Sequence, residues 1–313
     1  MKPEILTLTE QVAGDALRQL EDDFLSHPVW RLPDHESVIA AAAPRVRGVA
    51  TDGHRGVSPA LMAQLPNLEI IACFGVGYDA IDIKAAQQRG IAVTNTPDVL
   101  TDAVAEIAMG LMIASARRLV EGDRYVRAGG WVDKGALPLG TRVSGARLGV
   151  IGMGRIGKAI ADAGAAFNMT VAYHGPRPKD VPWRYYDKPA ALAAAVDFLV
   201  VACPGGPATR HLVDAGVLAA LGPRGTLVNV ARGSVVDEAA LVKALQDGVL
   251  GAAALDVFAD EPRVPTALLA MENVVLSPHQ GSATHATRGA MGQLVVDNLR
   301  AHFAGKPLIT RVA

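Results

Sequence analysis

Gly152, Gly154 and Gly157 lie between a short apolar run and a stretch of helical apolar periodicity, and this order of strand, turn and helix is what a dinucleotide-binding site requires. Leu148, Val150 and Ile151 make the run, and Ile156, Ala159, Ile160 and Ala163 carry the periodicity. Gly152 permits a tight turn, Gly154 lets a pyrophosphate approach the backbone, and Gly157 lets the helix pack closely on its strand. The phosphates would rest on N–H groups at the helix N-terminus. Three further polar residues follow apolar, strand-like runs: Arg232 in NVARGSVVDE, Glu261 in DVFADEP and His279 in LSPHQGSAT. Open α/β sheets bind their ligands at the carboxyl ends of strands. Taken singly, Arg232 also reads as a surface charge, Glu261 as a turn residue before Pro262, and His279 as a buried, satisfied histidine.

The elements that must position these residues alternate along the chain. Ile5–Leu8, Gly48–Ala50, Ile70–Phe74 and Ile91–Asn95 read as strands, with helices around 13–25, 36–43, 58–65 and 81–89. A helix follows from an expected N-cap at Thr101 to about Arg118, with Val104, Ile107, Ala108, Leu111 and Met112 on one face. An irregular arm then spans Val120–Thr141 and carries Gly129, Gly130, Trp131 and Pro138. After the glycine turn, Met169–Tyr173, Phe198–Ala202, Thr226–Val230, Gly251–Asp256 and Val274–Ser277 read as strands, with helices around 189–195, 211–220, 237–246 and 266–270. A long helix over Thr284–Gly305 closes the pattern. Such alternation implies doubly wound parallel sheets.

Composition narrows the partners. At 313 residues the length suits about two domains, and 50% hydrophobic against 19% charged residues suits packed α/β cores. A net charge of −1 provides no basic field for nucleic acid or an anionic membrane, so the expected partner is a small molecule. Cys73 and Cys203 each end an apolar run and read as core thiols; there is no C-x-x-C and no H-E-x-x-H, so no metal site is expected. No signal-peptide core and no long uncharged apolar stretch is evident, which points to a cytoplasmic protein with no membrane span.

In order, FGVGYDAIDI, GMGRIG, NVARGSVVDEAAL, ALDVFADEP and SPHQGSAT resemble the D-isomer-specific 2-hydroxyacid dehydrogenases over nearly the whole chain, and most resemble their glyoxylate/hydroxypyruvate reductases. The resemblance implies a flavodoxin-like substrate domain, expected at 1–98 and 285–313, interrupted by a Rossmann cofactor domain at 99–284. It also implies reduction of a small 2-keto acid to its 2-hydroxy acid in a cleft that closes between the domains. Such a reaction requires a hydride from nicotinamide, a proton for the developing alkoxide and an anchor for the carboxylate. Arg232 suits the anchor, His279 the acid, and Glu261 the carboxylate that favours a protonated imidazole. The N–H groups of Val76 and Gly77 would hold the other carboxylate oxygen. The resemblance further places Arg155 and Ile156 at the pyrophosphate, Pro204 and Thr209 toward the adenine, Asp256 at the nicotinamide amide, and Thr101, Ala231 and Gly281 nearby. A helix cap at Thr101 and a strand terminator at Pro204 remain alternative readings. Family members of this kind are homodimers whose arm reaches the neighbouring site, which would make Trp131 a substrate-pocket residue in trans.

NAD enzymes of this fold end their second strand in an acid that binds the ribose hydroxyls. Here the chain reads VAYHGPRPKD: His174 takes the acidic position, Arg177 follows within reach of a 2′-phosphate, and the nearest acid is Asp180. NADPH is therefore the expected cofactor, with NAD as the alternative. A D-lactate-type or broader 2-keto acid reductase is the alternative substrate class. A nucleotide-sensing module on the same scaffold is the non-enzymatic one, and it would need none of Arg232, Glu261 and His279.

Overall fold

The structure is a computed structural model describing residues 2–313. The chain divides into two compact units, one formed by residues up to Leu100 together with Ala283–Ala313, the other by Thr101–Ser282.

In the first unit, β1 (Glu4–Thr7), β2 (Leu25–Pro28), β3 (Val46–Asp52), β4 (Ile70–Phe74) and β5 (Ala92–Thr94) form a parallel sheet in the order β2-β1-β3-β4-β5. This is the flavodoxin-like order, in which the strand order reverses beside β1. The interior strand β4 is buried along its whole length, as an apolar run covered on both faces must be. Asp34, Ser58 and Asp82 cap three of the connecting helices by accepting hydrogen bonds from the N–H groups of Ser37, Leu61 and Ala85. The long helix His285–Phe303 belongs to this unit and packs against helix Gly14–Asp23 and β4. Gly292 permits that approach, because a Cβ there would lie 2.7 Å from the Ala16 methyl.

In the second unit, β6 (Arg147–Ile151), β7 (Thr170–His174), β8 (Arg184–Tyr186), β9 (Phe198–Val201), β10 (Thr226–Asn229), β11 (Ala252–Leu255) and β12 (Val274–Leu276) form a parallel sheet in the order β12-β11-β10-β9-β6-β7-β8. That is the Rossmann order with one strand added beyond β11. Helices Thr101–Ala116 and Arg155–Ala166 cover one face, where Ala108, Met112, Ile160 and Val200 are fully buried. Helices Pro189–Ala194, Ala215–Leu221 and Glu238–Gln246 cover the other, around Leu192, Leu218 and Leu227. Both cysteines are buried thiols, and burial pushes Cys203 up to about 11.

The elements differ from the sequence reading at three places. Strands β2 and β8 were not expected: LSHP and RYY are short edge strands with no fully buried residue, so neither carries an apolar run. The arm expected to be irregular contains helices Leu119–Arg127 and Gly130–Lys134. Helix Leu119–Arg127 has no buried residue and is laced by Arg118–Glu121 and Asp123–Arg127 pairs, so no core-facing stripe marks it. Thr101 is the first helical residue of Thr101–Ala116 and not its N-cap.

At the amino end of the second sheet, Asp197 pairs with Arg147 at 2.5 Å and also accepts the Arg147 N–H at 2.9 Å, which ties β9 to β6. The Arg147 guanidinium holds the Asp197 carboxyl below the ordinary aspartate range. The depressed group contributes stability above its unfolded pKa and loses it as pH falls through the folded one. Because both partners are partly exposed, Asp197→Asn should destabilise the protein by about 1 kcal/mol at neutral pH. Thermal unfolding of parent and variant should differ at pH 7 and converge in acid below the usual aspartate range; a gap that persists in acid would assign the loss to something other than the ion pair.

Candidate active site

In the second unit, neighbouring parallel strands end side by side, and the residues singled out from the sequence follow those ends one strand after another. His174 ends β7, Gly152 follows β6, Cys203 and Pro204 follow β9, Ala231 and Arg232 follow β10, Asp256 follows β11, and His279 follows β12. A parallel sheet delivers this row because every strand runs the same way.

The glycine turn shows what each glycine permits. A Cβ on Gly152, whose φ is +99°, would lie 2.6 Å from the Cys203 backbone, and one on Gly157 would lie 1.9 Å from the Gly152 carbonyl oxygen. Gly154 is different: a Cβ there would meet nothing within 4 Å, so the space above the start of helix Arg155–Ala166 is open. No side chain caps that helix, Arg155 and Gly154 are exposed, and Ile156 is half-buried. Backbone donors bordered by open space at a helix N-terminus fit a dinucleotide pyrophosphate.

The polar residues are held by a connected set of backbone contacts. Asp256 is 1% exposed, and its carboxylate accepts hydrogen bonds from Ser277 Oγ at 2.5 Å, Gln280 N–H at 2.7 Å and Gly281 N–H at 2.8 Å. The Asp256 carbonyl also accepts the His279 N–H at 2.9 Å. These bonds hold the turn in which His279 has a φ of +54°, a left-handed conformation uncommon for a side-chain-bearing residue. His279 Nδ1 lies 2.8 Å from Glu261 Oε2, while Glu261 Oε1 accepts the Phe258 N–H at 3.0 Å. The carboxylate, fixed at both oxygens, requires a proton on Nδ1 and so turns Nε2 away from it.

Arg232 is joined to the same assembly through the backbone. Asn229, 1% exposed, donates to the Arg232 carbonyl at 3.0 Å and accepts the Ala231 N–H at 3.1 Å. Gly233 then passes so close to β11's loop that a Cβ would lie 1.9 Å from the Phe258 carbonyl carbon. The Arg232 turn therefore rests against the Phe258 backbone, whose N–H holds Glu261. Arg232 Nη1 donates to the Ala231 carbonyl at 2.8 Å. Asn229, Gly233 and Ser277 are not among the sequence-predicted site residues; their one visible signal is a polar or glycine residue at or shortly after the end of an apolar strand.

At the end of β7, His174 Nδ1 lies 3.0 Å from the Tyr186 carbonyl, which only accepts, so the proton is on Nδ1. The loop beyond is pinned by tyrosine hydroxyls: Tyr173 accepts the Lys179 N–H at 2.7 Å and Tyr185 donates to the Gly175 carbonyl at 3.1 Å. Arg177 is exposed on that loop, as is Asp180. Thr209 Oγ1 donates to the Pro204 carbonyl at 2.6 Å and so closes the turn after β9.

In the first unit, the turn after β4 has its carbonyls drawn inward, Gly75 to the Thr96 N–H at 2.9 Å and Val76 to Asn95 Nδ2 at 3.0 Å. Among the described residues no acceptor takes the N–H of Val76 or Gly77. Trp131 is 66% exposed on helix Gly130–Lys134. A groove of about 860 Å³ lies elsewhere in the second unit, lined by Arg118, Tyr125, Phe198, Thr226, Ala252 and Val274 at the amino ends of the strands, and it contains none of the site residues named above. No helix of the described residues is long and apolar enough to cross a membrane.

Two parallel α/β sheets, with a glycine turn and a His–Glu pair at strand ends, define a nucleotide-dependent oxidoreductase scaffold. Residues 109–281 match the family described as D-isomer specific 2-hydroxyacid dehydrogenase, NAD binding domain, and the chain belongs to that family. Glyoxylate/hydroxypyruvate reductase A of Arabidopsis thaliana is 48% identical over 295 residues, covering 94% of each chain. Hydroxyphenylpyruvate reductase of Plectranthus scutellarioides is 46% identical, again covering 94% of each. The solved NADPH-dependent glyoxylate/hydroxypyruvate reductase of Sinorhizobium meliloti, in complex with NADP and malonate, superposes with a TM-score of 0.90 at 44% identity, covering 100% of this chain and 97% of that one. The protein is thus an oxidoreductase that uses a nicotinamide cofactor and reduces 2-keto acids.

The two glycine positions make opposite predictions. Gly157→Ala should lower thermal stability, because its Cβ would overlap the Gly152 carbonyl at 1.9 Å. Gly154→Val should leave the melting temperature near that of the parent while raising KM for the cofactor about tenfold or more, since it fills open space above the helix N-terminus. Calorimetry and cofactor titration separate the two; a Gly154→Val protein with parental cofactor KM would mean that the pyrophosphate lies elsewhere.

Proposed function

We propose that the protein reduces glyoxylate and hydroxypyruvate to glycolate and D-glycerate with NADPH. The observation that carries the chemistry is the 2.8 Å contact between His279 Nδ1 and Glu261 Oε2, in an assembly whose backbone also fixes Arg232. Bound nicotinamide supplies the hydride. Within the protein, Glu261 stabilises the imidazolium charge, and His279 delivers the Nε2 proton to the carbonyl oxygen as it becomes an alkoxide. Arg232 holds an oxygen of the substrate carboxylate and faces the developing charge with its planar fork. The N–H groups of Val76 and Gly77 serve the other carboxylate oxygen.

Four further assignments complete the cofactor site. Gly152, Gly154, Arg155, Ile156 and Gly157 hold the pyrophosphate; Pro204 and Thr209 border the adenine side; Thr101, Ala231 and Gly281 lie near the nicotinamide. Asp256 receives the carboxamide, for which its Oδ2 retains acceptor capacity beyond the Gly281 bond. NADPH is favoured over NADH because β7 ends in His174 and not in an acid, and an exposed arginine, Arg177, stands on the pinned loop that follows. The keto-acid preference rests on the sequence patterns YHGPRP, ACPGG and SPHQGSAT together with the named activities of the relatives.

The functional unit is proposed to be a homodimer in which helix Thr101–Ala116 and the arm over Val120–Thr141 make the contact. Val126 at 55%, Trp131 at 66%, Val132 at 90% and Leu139 at 98% exposure form an apolar series that a lone subunit would leave in water. Trp131 would then reach the partner's substrate pocket. Light scattering should report twice the monomer mass; a fully active monomer at micromolar concentration would refute the shared site.

Assays of glyoxylate, hydroxypyruvate, pyruvate and phenylpyruvate, each with NADPH and NADH, test substrate and cofactor together. The highest kcat/KM is expected with the first two acids and NADPH. Arg177→Ala should weaken NADPH binding by about 1.5 to 3 kcal/mol, the range for a lost charge-assisted hydrogen bond, and weaken NADH far less. Equal losses for both cofactors would show that Arg177 does not read the 2′-phosphate.

A further inference from the structure

Arg288 occupies a place in the first unit that no structural need explains. It lies in the first turns of helix His285–Phe303, four residues beyond the Thr284 N-cap, where the helix dipole opposes a cation. Its side chain is half-buried, and desolvation lowers its pKa, opposed only by the field of Asp52. Asp52 itself is turned to the backbone, accepting the N–H groups of His54 at 2.9 Å and Arg55 at 2.8 Å. The direct partners of Arg288 are neutral: Nη1 donates to Gln11 Oε1, and the guanidinium lies 5.4 Å from the centroid of the Phe74 ring. It forms no ion pair among the described residues. A cation at the positive end of a helix, partly stripped of water, touched only by an amide and an aromatic face and reached by Asp52 through its field alone, is poorly compensated by the fold.

The surroundings say what would compensate it. Gln11 follows β1, Asp52 ends β3 and Phe74 ends β4, so Arg288 stands at the carboxyl edge of the first sheet. Phe74 is also the residue before Gly75, and the turn it opens presents the N–H groups of Val76 and Gly77. The aromatic face and Gln11 hold the guanidinium in place while leaving most of its five donors without a carboxylate partner.

We propose that Arg288 is a specificity-determining residue that binds the oxygen-bearing tail of the 2-keto acid, a hydroxyl or second carboxylate beyond the keto carbon. This deepens the 2-keto acid reading and rests on the assignment of Val76 and Gly77 to the substrate carboxylate. A substrate held there by its first carboxylate places its tail oxygens along the same sheet edge, where an arginine fork can take one or both. Glyoxylate has no tail, hydroxypyruvate carries a hydroxyl, and oxaloacetate carries a carboxylate, so the three form a graded series.

The test compares the parent with Arg288→Met, which keeps the apolar stem against Phe74, and with Arg288→Lys, which keeps the charge but loses the fork. The ratio of kcat/KM for oxaloacetate to that for glyoxylate should fall about tenfold to a hundredfold in Arg288→Met, with a smaller fall in the hydroxypyruvate ratio and an intermediate result in Arg288→Lys. Unchanged ratios in Arg288→Met would overturn the proposal, as would equal loss for all three acids. Thermal protection by malonate, measured against acetate, provides a readout that needs no turnover: the advantage of the dicarboxylate should shrink in Arg288→Met and persist in the parent. If the parent reduced none of the three acids, the substrate reading would fail by itself, while a malonate advantage that depends on Arg288 would still support the tail site. A malonate advantage equal in parent and variant would refute it.

Discussion

The grip of the Asp256 carboxylate on the turn after β12 is the interaction on which the candidate site depends. A carboxylate 1% exposed would be costly to bury alone, and three donors from one short segment, Ser277 Oγ, Gln280 N–H and Gly281 N–H, offset that cost. Those bonds, with the His279 N–H on the Asp256 carbonyl, hold His279 at a positive φ and aim its ring at Glu261. The strain of that conformation is local, and the buried acid behind it supplies the compensation. Precision at the imidazole therefore originates one strand away, in a residue that reads as a charge but acts as a clamp.

Close backbone approach extends the same assembly to either side. Gly233 lets the Arg232 turn lie on the Phe258 backbone, and Gly152 lets the glycine turn lie on Cys203. Side chains at either position would push apart turns that belong to adjacent strands. The order β6-β9-β10-β11-β12 puts these turns in a row, so each supplies one function without long connecting loops. Burial of Cys203 behind Gly152 keeps its thiol protonated, consistent with a packing role and not a nucleophilic one.

Much of this was legible in the sequence. Long apolar runs such as Ile70–Phe74 and Phe198–Val201 announce buried parallel strands, and the Gly152–Gly157 spacing announces the turn between strand and helix. The polar residues after the strands were also visible, because a charge directly following an apolar run interrupts it. What remained hidden lacks such a contrast. Strands β2 and β8 are edge strands without an apolar run, and helix Leu119–Arg127 is a short amphipathic segment that buries none of its residues. The pairing of Glu261 with His279 was implied by the family resemblance, whereas the clamp at Asp256 and the contacts of Arg288 with Gln11 and Phe74 depend on distant segments, which spacing along the chain does not encode.

The central claim is that Glu261 sustains the charge on His279 that reduction requires, and the pH profile of kcat/KM for keto-acid reduction in parent and Glu261→Gln measures it most directly. A neutral amide keeps the shape of the contact but not the charge that stabilises the imidazolium. The variant should lose activity at lower pH than the parent, with a smaller deficit under acidic conditions where the imidazole is protonated without help. A basic limb in the same position, with acidic-side activity unchanged, would contradict the proposed relay.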